Sequence, residues 1–134
     1  MDFGAAPALG TRANRLAVWA LTNTASLNSA NPAVTLSNVV IDSELYAQPP
    51  NAEQKSGLTP LGDAVHSPLE LIAANDDRVN QVVFAAGKLW AGLNTAVKQP
   101  NGATRVGIAY FVVTPSDPAG TLTAIMTRQG YVTP

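Results

Sequence analysis

Four strand-like stretches follow one another between residues 78 and 134, each ended by recognisable turn chemistry, and no other feature limits the possible folds so strongly. In the clearest of them Leu89, Ala91, Leu93, Thr95 and Val97 alternate with Trp90, Gly92, Asn94 and Ala96, the two-residue period of a strand. Residues 79–85 before it are rich in β-branched and aromatic side chains. Ala86-Gly87-Lys88 joins the two stretches, and its glycine can take the positive φ that a tight hairpin demands. Gln99-Pro100-Asn101-Gly102 is a second turn, residues 105–114 a third strand, Pro115 to Gly120 a third turn, and residues 121–132 a fourth strand. The spacing predicts an antiparallel four-stranded meander.

The first third of the chain repeats the latter half of that pattern. Arg15-Leu16-Ala17-Val18-Trp19-Ala20-Leu21-Thr22 can be laid beside Arg105-Val106-Gly107-Ile108-Ala109-Tyr110-Phe111-Val112, and a polar turn with a proline follows each, at Pro32 and Pro118. Thr35-Leu36 then matches Thr121-Leu122, and Tyr46 matches Tyr131, at a spacing of roughly 85 to 91 residues. A repeated four-stranded meander is the sequence sign of a β-propeller, and a period longer than the usual blade of about 40 to 50 residues requires long connections. The expected fold is therefore all-β, with one nearly complete propeller-like blade and one partial blade. Residues 1–46 form the closing strands of the first blade and 78–134 form the second.

Residues 47–77 lack a strand period and carry Pro49, Pro50, Gly57, Pro60, Gly62 and Pro68, so they are expected to connect the two blades. Within them Ser67-Pro68-Leu69-Glu70 has the hydroxyl cap, first-turn proline and reciprocal glutamate of a capping box. That motif predicts a short helical turn near 68–74.

Charge narrows the function classes. Eight Lys and Arg against nine Asp and Glu give a net charge of -1, so there is no basic field for nucleic acid and no polybasic patch for a membrane surface. The longest apolar run, residues 106–113, is of strand length and falls far short of a bilayer span. No cysteine is present, which removes disulfides and thiolate chemistry. Met1-Asp2-Phe3-Gly4-Ala5-Ala6-Pro7 lacks the cationic and apolar regions of a secretory signal.

His66 is the lone imidazole, with Asp63 and Ser67 close in sequence, but Ser67 is explained as a helix cap and His66 as a surface residue. Asn75-Asp76-Asp77 offers oxygen ligands without the alternating spacing of a calcium loop, so it is expected to be a polar loop ahead of a strand. Asp42 and Glu44 fall on one face of a strand by the two-residue rule, which suits a solvated face better than a glycosidase pair. Trp19, Trp90 and Tyr110 could stack on a sugar, and the expectation is that they pack between sheets instead, with Trp90 mostly buried. No catalytic set, metal site or cofactor is assigned. Asp63, His66, Asp76 and Asp77 are the candidate binding residues.

Several strings carry a resemblance: residues 46–57 (Tyr-Ala-Gln-Pro-Pro-Asn-Ala-Glu-Gln-Lys-Ser-Gly), Thr59-Pro60-Leu61, residues 76–82 (Asp-Asp-Arg-Val-Asn-Gln-Val), Gly87-Lys88-Leu89-Trp90 and Gly107-Ile108-Ala109-Tyr110-Phe111. From about Arg15 to Val132 the chain resembles large exported bacterial proteins of β-propeller type, many of which have no assigned activity. The general architecture is similar to that of sialidase-type propellers. Their Asp-box is absent: Ser116-Asp117-Pro118-Ala119-Gly120-Thr121 has another spacing and no Trp, so sialidase chemistry is not implied. The resemblance implies a non-enzymatic extracellular or cell-surface module, structural or binding, within a longer protein. Its partners would be the remainder of that protein, further copies of the chain, or a glycan. Two alternatives are part of a propeller glycosidase or lyase with its catalytic groups on other blades, and a self-assembling shell or capsid subunit.

Overall fold

A computed structural model describes residues 12–53 and 71–133, so Asp63 and His66 lie outside the described residues. The described chain is all-β. Strand β1 (Arg12–Thr22) and β2 (Thr35–Ala47) pair as an antiparallel hairpin, β3 (Ala52–Glu53) and β4 (Leu71–Ile72) form a two-residue bridge, and β5 (Gln81–Ala85), β6 (Lys88–Lys98), β7 (Thr104–Ser116) and β8 (Thr123–Val132) form a four-stranded meander in sequence order. The expected meander is thus present, with all its pairings antiparallel.

Turn chemistry sets its register. Ala86 (φ 50) and Gly87 (φ 71) both have positive φ, giving a two-residue turn whose flanking residues Ala85 and Lys88 pair. This backbone matches the right-handed twist of the strands. Gly102 (φ 85) does similar work between β6 and β7, where the Gly102 N–H donates to the Gln99 carbonyl at 2.9 Å. The longer β1–β2 connection holds a 3-10 turn at Thr24–Asn28 and is tied by the Asn23 side chain donating to the Ala33 carbonyl at 2.9 Å.

The expected helical turn near 68–74 is not found where it can be checked. Leu71–Ile72 is extended and pairs with Ala52–Glu53, and Ala73 and Ala74 are not helical, while Ser67 to Glu70 fall outside the described residues. A helix this short has little stability of its own. Strand pairing supplies the backbone partners instead, and Arg105 on β7 forms an ion pair with Glu53 of the bridge. The segment expected to be a plain connection therefore holds a small piece of sheet.

The hairpin lies across one face of the meander. From β6 and β7 that face presents Leu93, Thr95, Ala109, Phe111 and Val113, all buried. Leu16 and Tyr46 of the hairpin and Met126 of β8 pack against Leu93, Ala109 and Phe111, and the Tyr46 and Phe111 rings meet edge to face at 6.3 Å. Within the meander itself, Gly107 of β7 sits where a side chain has no room between β6 and β8. A Cβ there would come within 2.6 Å of Val97 Cγ2 and 2.9 Å of the Val132 carbonyl oxygen.

Candidate interaction surfaces

The hairpin is clasped to the meander through an irregularity in β2. Arg15 pairs with Asp42 and Ala13 with Tyr46, so three β2 residues, Ser43 to Leu45, stand opposite Asn14 alone. Such a bulge releases backbone groups from the ladder. Side chains of β8 take them up: the Glu44 N–H donates to Gln129 Oε1 at 2.8 Å, and the Tyr131 hydroxyl donates to the Leu45 carbonyl at 2.5 Å. Thr95 on β6, fully buried, completes the seam. Its Oγ1 accepts the Ala47 N–H at 3.0 Å and donates to the Ala47 carbonyl at 3.3 Å.

The bulge also separates Asp42 from Glu44, which the two-residue rule had placed together. Asp42 is exposed and sits 3.7 Å from Arg15, while Glu44 turns toward the seam, where its Oε2 is buried without a hydrogen-bond partner among the described residues. Burial raises the Tyr131 hydroxyl above the usual tyrosine range, and the charge of Glu44 adds to this. Burial also raises Tyr46, with Asp77 contributing a smaller charge effect. Both hydroxyls are engaged with backbone, Tyr46 through the Arg15 carbonyl at 2.7 Å. A cavity of about 490 Å³ opens beside the seam, with Tyr46 and Tyr131 in its wall and Arg12 and Lys98 also lining it.

The sequence-derived candidates do not converge. Arg78 occupies the Asp76 carboxylate, its Nε donating to Oδ2 at 2.7 Å and its backbone N–H to Oδ1 at 3.0 Å. These bonds hold Asp76 below the usual carboxylate range, the side-chain bond most of all. Asp77 points elsewhere. It is buried, and its Oδ2 has no hydrogen-bond partner among the described residues. Their loop is anchored to β6 by the Asn94 side chain, which donates to the Ala74 carbonyl at 2.6 Å. Among the described residues, no three acidic or imidazole side chains gather in one place.

The larger surfaces are apolar. On the side of the hairpin facing away from the meander, Trp19, Leu21, Leu36 and Val40 are all more than half exposed. On the opposite side of the meander, Val83, Trp90, Ile108 and Ile125 form a second apolar face. Trp90 is 47% exposed, which overturns its expected burial: among the described residues no strand packs on its face of the sheet, although its indole N–H donates to the Ala85 carbonyl at 3.3 Å. Trp19 and Trp90 therefore occupy opposite sides of the two-layer body and cannot share one ring of a sugar. The chain matches no family model, and no curated protein or solved structure is similar to it.

Proposed function

We propose that this chain is a non-enzymatic structural module of an exported assembly of the β-propeller type, its two outer sheet faces covered by neighbouring sheets. The supporting observation is the balance of its apolar residues. Among the described residues six hydrophobic side chains are buried, while seventeen large ones are exposed, the reverse of what a self-sufficient small domain needs. Nine of the seventeen lie on the Trp19 side of the hairpin or the Trp90 side of the meander, as they do on strands when a layer is meant to lie on each face. Soluble monomers rarely leave contiguous apolar patches larger than a few hundred Å² open. The exported setting rests on the sequence resemblance alone.

Sedimentation of the chain at low micromolar concentration tests the reading. The expected result is association with itself, or with the neighbouring sheets when these are supplied, together with strong binding of a hydrophobic dye by any remaining monomer. A cooperatively melting 13.9 kDa monomer that binds no dye would overturn it.

A further inference from the structure

The two-stranded hairpin packs on β6 to β8, and among the described residues nothing covers the rest of the meander's inner face. The uncovered part is the β5 side, where Val82 and Phe84, 53% and 66% exposed, point the same way as the buried Leu93 and Phe111. Beside them runs a cavity of about 330 Å³. Its floor is inner-face residues of the meander, including Val82, Leu89 and Phe111. Its wall is four consecutive residues of β1, from Leu16 to Trp19. Successive strand residues point to opposite faces, so a cavity beneath a strand meets every second one. A cavity that meets all four runs along the strand's edge. That edge of β1 is unpaired among the described strands.

We propose that the free edge of β1 and the uncovered inner face of β5 form one acceptor slot for an extended β-strand, which pairs antiparallel with β1 and sets alternate apolar side chains on Val82 and Phe84. Backbone donors and acceptors on one side and a flat apolar floor on the other select this chemistry over a compact ligand. The slot is continuous with the packing of hairpin on meander already present. The β7–β8 hairpin shows how such an edge is filled, because the outer edge of β7 takes β6 antiparallel over ten residue pairs. The incoming strand would therefore carry alternation of the β6 kind. The proposal deepens the module reading, resting on it for the view that the partner is a strand of a neighbouring sheet.

The test uses the full chain with a second copy of the sequence of Lys88–Lys98 attached at its N-terminus through a flexible Gly/Ser linker, which keeps the probe strand at high effective concentration. Hydrogen exchange of the β1 amides is then compared with that of the unextended chain. The expected result is at least tenfold slower exchange in residues 16–21, abolished by Val82→Glu and retained with Val83→Glu. These two valines are adjacent and similarly exposed, but they lie on opposite faces of β5, so general destabilisation does not separate them. Unchanged β1 exchange, or equal loss with both variants, would overturn the slot. So would β1 protection in the unextended chain that rises with concentration, which would give the edge to a second copy. None of these outcomes bears on the outer faces, whose association is read separately by sedimentation.

Discussion

The Tyr131 hydroxyl donates to the Leu45 carbonyl across 86 positions of sequence, joining the last strand of the meander to the bulge of the hairpin. It closes one of the longest loops in the chain with a single neutral hydrogen bond. Tyr131→Phe should cost about 1 kcal/mol, since the bond is lost while water can still reach a partly exposed site. Chemical denaturation measures this, and an unchanged midpoint would mean that the seam is held by packing alone.

Ionisation should open the same seam. Tyr46 and Tyr131 both have hydroxyls raised above the usual tyrosine value, and in each the protonated form is the one that donates to backbone. Because the folded-state values lie above the unfolded ones, their contribution is complete below about pH 10 and is lost as pH rises through the folded-state values. Near-ultraviolet titration should show two tyrosines ionising late, accompanied by a fall in melting temperature, and Tyr131→Phe should remove one of them. Ionisation of all tyrosines at the ordinary value with no change in melting would contradict this linkage.

Two glycines should fail for different reasons. A side chain at Gly87 meets nothing within 4 Å, but the residue has φ +71, so Gly87→Val should cost about 1 to 2 kcal/mol through backbone strain. Gly107 has ordinary φ and no room, so Gly107→Ala should cost about 1 to 3 kcal/mol through overpacking against Val97 and the Val132 carbonyl. Adding Val97→Ala should recover part of the second loss and none of the first. Thermal melts of the single and double variants separate the two mechanisms.

The meander was legible because alternation and turn chemistry agree at every step, from the Ala86-Gly87 turn through Gln99 to Gly102. Hydrophobic period could not show which face of β6 would be covered. Leu93 and Trp90 both sit in the same alternating strand, and only the placement of β1 and β2 buries one and leaves the other open. The β2 bulge was also hidden, since Ser43-Glu44-Leu45 carries no glycine or proline to mark it, and with it went the separation of Asp42 from Glu44. Asp76 and Asp77 were singled out as polar neighbours. One became an arginine partner and the other a buried group, a divergence that depends on how their loop docks on Asn94.

That asymmetry gives a direct comparison in the core. Phe111 is 1% exposed, so Phe111→Ala should cost about 3 to 5 kcal/mol through lost burial and a cavity. Trp90→Ala in the isolated chain should cost about 1 to 2 kcal/mol, because half of its surface is already in water. In the assembled state Trp90→Ala should instead weaken association. Melting and sedimentation of both variants distinguish a core residue from one that awaits a partner.

Thr95 provides the sharpest test of the seam itself. Its side chain is fully buried and its one hydroxyl serves both the N–H and the carbonyl of Ala47, so an apolar residue of the same shape fills the space and leaves two backbone groups unpaired. Thr95→Val should therefore destabilise by about 2 to 3 kcal/mol, each orphaned group being partly reached by solvent at the end of β2. Thr95→Ser keeps both hydrogen bonds and gives up one buried methyl, a loss of about 1 kcal/mol. If valine is tolerated better than serine, burial rather than hydrogen bonding holds the hairpin to the meander.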